Sequence, residues 1–171
     1  SVFGRRQCGS AGGGAVVEEI KTIGVAGSGT MGNGIAHVAA RAGYRVVLLD
    51  VQREALDRGL ATISKNLDRE VAKNKLSPSE KSEAISRITL TTDVGRLAES
   101  DFIIEAVVED FGAKTEIFQS LDRTARPSVI MASNTSSISI TKMASKTLRP
   151  DKIIGMHFMN PVPVMNLVEI V

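Results

Sequence analysis

The sequence has a single cysteine, Cys8, no tryptophan, one tyrosine and two histidines, His37 and His157, among 171 residues. One cysteine forms no internal disulfide. That excludes a disulfide-stapled secreted scaffold and points to an intracellular reducing compartment: cytoplasm, peroxisome or mitochondrial matrix. So few thiols and imidazoles make no Cys/His cluster for zinc, and no metal site is expected. The longest apolar runs are of strand length, far from the roughly 20 residues that span a bilayer. Charge of one sign is lacking as well. Lys and Arg number 21 against 19 Asp and Glu, a net charge of +2, which gives no reason to expect nucleic acid or a membrane surface as partner. Hydrophobic residues make up 43%, an ordinary globular share that excludes disorder of the whole chain.

Residues 1–19 differ from the rest. Five glycines, Arg5 and Arg6 precede any apolar periodicity, and no acid appears before Glu18. This stretch is expected to be a mobile lead, a targeting remnant or a scar. Residues 20–171 are expected to form one domain. Short apolar runs at 22–26, 44–50, 88–91, 101–108, 128–132, 152–158 and 166–171 are predicted strands. Between them lie predicted helices over 35–41, 53–75, 113–123 and 139–145, and a further helix start at Ser77-Pro78-Ser79-Glu80. In the helix over 53–75, Leu56, Leu60, Ile63, Leu67 and Val71 form one stripe. Strands alternating with helices, each strand apolar throughout, imply an α/β fold with a mostly parallel, doubly wound, Rossmann-type sheet.

Gly27-Ser28-Gly29-Thr30-Met31-Gly32 matches G-x-G-x-x-G, directly after a strand and at the opening of a helix. In that context each glycine has a role: Gly27 makes the tight turn, Gly29 lets backbone approach a pyrophosphate, and Gly32 lets helix and strand close together. The helix start supplies free N–H groups for the anion. Asp50 ends the next strand, about 20 residues further on, where a carboxylate accepts from both ribose hydroxyls. It also repels a 2′-phosphate, so NAD is favoured over NADP, with Arg53 the one neighbour of opposite tendency.

Two ionisable groups sit in apolar strands: His157 in IIGMHFM and Glu169 in MNLVEIV. By strand alternation Glu169 shares a face with Leu167 and Val171, where a carboxylate costs several kcal/mol unless it is paired. The turn Asn160-Pro161-Val162-Pro163 can bring His157 beside it. Two readings stand on the residues alone: a general base whose tautomer the carboxylate fixes, or a buried ion pair that locks two strands together. His37 is expected at the surface or in helix packing. Ser133-Asn134-Thr135-Ser136-Ser137 follows a strand at its carboxyl end, where ligand crevices form. It reads as a ligand-holding run or as a helix start capped by Ser137 or Ser139.

Taken together, IGVAGSGTMGNGIA (23–36), VVLLD (46–50), IIEAVVED (103–110), ASNTSSISI (132–140) and GMHFMNPVPVMNLVEIV (155–171) resemble the 3-hydroxyacyl-CoA dehydrogenase family over residues 20–171. The resemblance implies NAD-dependent oxidation of an (S)-3-hydroxyacyl-CoA to the 3-ketoacyl-CoA, and the reverse, in fatty-acid or butanoate metabolism. It implies His157 as general base, Glu169 as its orienting partner, and Ser136 between nicotinamide and the substrate oxygen. Gly27, Ser28, Gly29, Thr30, Met31 and Gly32 would hold the pyrophosphate and Asp50 the adenosine ribose. Glu109, Lys114 and Asn160 would contact the cofactor, and Lys73 and Lys75 the CoA phosphates. Family members continue into a helical domain that closes over substrate, adds a catalytic Asn and forms a homodimer; this sequence is expected to be a piece that stops before it. The competing expectation is a non-catalytic NAD-binding module on the same fold.

Overall fold

The computed structural model describes residues 19–171, so the expected lead, but for Glu19, lies outside the described residues. The chain runs β1 (Thr22–Ala26), α1 (Thr30–Arg41), β2 (Arg45–Leu49), α2 (Arg53–Ala72), α3 (Pro78–Ser86), β3 (Ile88–Thr91), α4 (Val94–Ala98) and β4 (Phe102–Glu105). It continues through α5 (Phe111–Thr124), β5 (Ile130–Ser133), α6 (Ile140–Ala144), β6 (Ile153–Phe158) and β7 (Val168–Ile170). The sheet order is β3-β2-β1-β4-β5-β6-β7. The first six strands are parallel and β7 is antiparallel to β6. The doubly wound, mostly parallel architecture is as expected.

Alternation along the central strands sends side chains to both faces of the sheet. Val25, Leu48 and Ile104 meet α1 and α2 through Ile35, Ala39, Leu56, Ile63 and Leu67. Ala26, Ile103 and Met131 meet α4, α5 and α6 through Leu97, Phe118, Leu121 and Met143. Both faces are therefore covered, and the strands read as unbroken apolar runs for that reason. In the α2 stripe Leu56, Ile63 and Leu67 are buried, while Leu60 and Val71 are half-buried. The α3 start is as read: Ser77 and Glu80 form a reciprocal capping box with Pro78 in the first turn.

Several boundaries differ, each for a local reason. Helix α1 starts at Thr30 rather than Ile35: its start takes in Gly32 and Gly34 despite their poor propensity. Helix α2 stops at Ala72, before Lys73 and Lys75; Asn74 takes a left-handed φ of 54° that a helix does not continue through. Strand β4 ends at Glu105 rather than Val108, since the Glu105 carboxylate takes the Val107 N–H out of the sheet ladder. Strand β7 is three residues long, not six, and lies at the sheet edge. The short α4, capped by Asp93, has no counterpart among the predicted elements. His37 is buried rather than at the surface. It packs between helices, with Nε2 2.9 Å from Glu70 Oε1.

Candidate active site

The strand order reverses between β1 and β4, and the loops leaving these strands part there to form the crevice at the carboxyl end of the sheet. Gly27 has φ +97°, and a Cβ on it would lie 2.5 Å from the Ala106 carbonyl oxygen. A Cβ on Gly32 would lie 1.8 Å from the Gly27 carbonyl oxygen. The fold itself therefore requires these two glycines. At Gly29, the residue before α1, a Cβ would meet nothing within 4 Å. Its missing side chain leaves open space in front of the first-turn N–H groups of α1, a cradle that suits a pyrophosphate. Ser28 is buried, Thr30 is exposed and Met31 is half-buried at the same helix start.

Asp50 lies just past β2. Its Oδ2 accepts from the Ser28 N–H at 2.9 Å and the Ser28 hydroxyl at 2.7 Å. Burial pushes the Asp50 carboxyl up, but the hydrogen bonds from Ser28 and from the backbone of Gln52 and Val51 outweigh it, and the group is held below its ordinary value. It is thus an anion at neutral pH, aimed at the glycine loop. Gly27, Gly29 and Asp50 share a cavity of about 550 Å³ with Leu49, Val51, Val94, Val107, Val108 and Ile117. An anion cradle, a ribose-type acceptor and apolar walls suited to a flat ring fit a dinucleotide.

On the other side of β4, His157 and Glu169 face each other across the β6–β7 pair as register partners. His157 Nδ1 lies 3.6 Å from Glu169 Oε2, and the side chains are 28% and 61% exposed. This corrects the premise of a carboxylate buried on an apolar face: β7 is an edge strand, and Leu167 and Val171 are exposed beside it. The pair is therefore not a buried lock. Its separation is longer than a hydrogen bond, as is common where a site is not closed on its substrate. With Nδ1 turned to the carboxylate, Nε2 is left for a ligand.

The run 133–137 is divided in its roles. Ser133 is buried, Asn134 Oδ1 accepts from the Phe158 N–H at 2.9 Å, and the Thr135 and Ser137 hydroxyls donate to Glu109. Ser136 is exposed between them. Ser139, not Ser137, caps α6. Burial pushes the Glu109 carboxyl up, yet the hydroxyls of Thr135 and Ser137 and the charge of Lys114 hold it at about 2. Lys114 is buried with Nζ 2.7 Å from Glu105 and 3.2 Å from Glu109. Glu105 went unweighed in the sequence, although it carries the same signal that singles out Glu169, an acid inside an apolar strand. Asn160 is exposed where the chain leaves β6. Lys73 and Lys75 are exposed beyond α2, where the Lys75 carbonyl meets Arg41. That is the far end of α1, about 18 Å of helix away from the glycine loop.

The sequence profile of the family described as "3-hydroxyacyl-CoA dehydrogenase, NAD binding domain" matches residues 22–171. The chain belongs to that family. It is 51% identical over 152 residues to the 3-hydroxybutyryl-CoA dehydrogenase of Bradyrhizobium diazoefficiens, covering 89% of this chain and 52% of the relative. It is 49% identical over 153 residues to the probable 3-hydroxybutyryl-CoA dehydrogenase of Bacillus subtilis, covering 90% and 53%. Among solved structures it is similar to the (S)-3-hydroxybutyryl-CoA dehydrogenase of Ralstonia eutropha. The TM-score there is 0.87 at 47% identity, over 89% of this chain and 54% of that one. The chain spans about half the length of the curated relatives it matches. No helix among the described residues is long and apolar enough to cross a membrane.

Proposed function

We propose that this chain is the cofactor-binding part of an enzyme that oxidises (S)-3-hydroxyacyl-CoA to 3-ketoacyl-CoA and catalyses the reverse. The observation that carries the reading is the His157–Glu169 pair. It stands at the carboxyl end of the sheet, beside the Ser136 loop, with Nε2 directed away from the carboxylate. NAD, when bound, supplies the acceptor for the hydrogen and electron pair leaving C3 of the substrate. Gly27, Gly29 and the start of α1 hold its pyrophosphate, and Asp50 takes the ribose hydroxyls.

His157 Nε2 accepts the proton of the 3-hydroxyl as the carbonyl forms. Glu169 opposite Nδ1 keeps the ring in the tautomer that leaves Nε2 unprotonated, then stabilises the cation. In the reductive direction His157 returns that proton. Ser136, exposed on the neighbouring loop, donates to the substrate oxygen. The exposed amines of Lys73 and Lys75, at the far end of α1, take the phosphates of CoA, and Glu109 and Asn160 contact the cofactor, with the buried Lys114 acting through Glu109. The full-length protein acts as a homodimer through residues beyond this stretch.

The test is acetoacetyl-CoA-dependent loss of NADH absorbance by the full-length protein, with NADPH as the competing cofactor. Turnover with NADH and little with NADPH supports the reading. NADH binding without turnover on any 3-ketoacyl-CoA tested would instead establish the non-catalytic module.

A further inference from the structure

We propose that Glu105 is a positioning residue for the reaction: it sets the Ser136 loop against His157, acting through Ser133 on one side and through Lys114 and Glu109 on the other. The inference rests on the reading of Ser136 and His157 given above. Glu105 is fully buried at the last position of β4. Its Oε2 accepts from the Ser133 hydroxyl at 2.6 Å, and its backbone carbonyl accepts from the Asn134 N–H at 2.9 Å. Its Oε1 accepts from Lys114 Nζ at 2.7 Å and from the Val107 N–H at 2.7 Å.

Lys114 carries the constraint onward. The same ammonium lies 3.2 Å from Glu109 and donates to the Val107 carbonyl at 3.3 Å. Glu109 in turn accepts from the hydroxyls of Thr135 and Ser137. One buried cation thus joins two carboxylates, and these grip the loop before and after Ser136. Asn134 passes the register to β6 by accepting the N–H of Phe158, next to His157. Ser136 and His157 are held in one frame whose centre is Glu105.

Stability alone does not account for such a group. A buried ion pair is often no more stable than well-packed apolar residues in its place, whereas a fully bonded polar network fixes geometry sharply. Geometry is what a proton-transfer site needs, since a displacement near 1 Å costs about 100-fold in rate.

The experiment compares full-length wild type with Glu105→Gln and Ser133→Ala. Readouts are kcat and KM with acetoacetyl-CoA, NADH affinity by fluorescence, melting temperature, and amide exchange of residues 133–138. For Glu105→Gln the expected result is a kcat lower by about 10- to 100-fold. NADH affinity and KM should change several-fold less than kcat does, and loop amides should exchange about tenfold faster while those of α1 do not. Ser133→Ala, which deletes the Oε2 arm and the bond that the same hydroxyl accepts from the Thr135 N–H, should give the same pattern at smaller amplitude at loop amides other than Thr135, and it decides alone if Glu105→Gln does not fold. Unchanged kcat and unchanged loop exchange would overturn the proposal, as would a loss of kcat matched by an equal loss of NADH affinity. If the wild type turns over no 3-ketoacyl-CoA, the functional reading fails by itself; the exchange data still decide whether Glu105 holds the loop.

Discussion

Lys114 and Glu105 lie 2.7 Å apart at 1% and 0% exposure, at the centre of the sheet's carboxyl end. His157 and Glu169 lie 3.6 Å apart at 28% and 61% exposure, on its edge. Both are base–acid pairs at one end of the sheet, Glu105 of β4 with Lys114 of α5 and His157 of β6 with Glu169 of β7, and they are built in opposite ways. The first is sealed and saturated with hydrogen bonds, so its charges hold backbone. The second is open on the side of Nε2 and is backed by a strand of only three residues, so its charges are free to respond to a ligand. A group that must gain and lose a proton needs access and some freedom; the frame that aims it needs neither.

The largest expected effect comes from breaking the sealed pair. Lys114→Met leaves the Glu105 carboxylate buried with no cation, at a cost of about 3–5 kcal/mol in urea unfolding. Glu105→Leu combined with Lys114→Met should recover most of that stability but not the turnover, which separates holding from folding. At the open pair the balance reverses. Glu169→Gln should change unfolding free energy by less than about 1 kcal/mol, as for other exposed pairs. It should still lower kcat about 10-fold or more, because the imidazole cation loses its partner.

Gly29→Ala makes the same division within the glycine loop. Its Cβ meets nothing within 4 Å, so stability should move by no more than about 0.5 kcal/mol. NADH affinity, read by fluorescence, should drop about tenfold as the methyl fills the anion cradle. The smallest effect is on pH. The Glu109 carboxyl is held at about 2 against an ordinary 4.5, so its contribution to stability is complete above 4.5 and is lost as pH falls towards 2. Melting temperatures between pH 6 and pH 3 should fall more steeply for the wild type than for Glu109→Gln.

The fold was legible wherever periodicity carries it. The strands at 22–26 and 88–91 and the capping box at Ser77 match their sequence signals residue for residue. Boundaries failed where a single side chain or dihedral overrode propensity: Asn74 stops α2 while its lysines favour helix, and Glu105 ends β4 inside an apolar run. The G-x-G-x-x-G spacing was enough to separate the roles of Gly27 and Gly32 from that of Gly29. That His157 and Glu169 meet was readable from the turn between them; the exposure of the pair was not, because alternation gives the face of a strand and not whether that strand is central or at the edge. The frame around Glu105 and Lys114 joins residues from β4, α5 and β5, and no local pattern encodes which of these meet.

The most direct measurement is the turnover of NADH with acetoacetyl-CoA by full-length His157→Ala, with NADH affinity and melting temperature taken on the same sample. With the proposed proton acceptor removed from an otherwise intact crevice, kcat should fall by about 100- to 10,000-fold while affinity and melting temperature stay at wild-type values. Turnover retained within a few-fold would mean that the exposed pair does not carry the proton, and would contradict the division between an open catalytic edge and a sealed positioning centre.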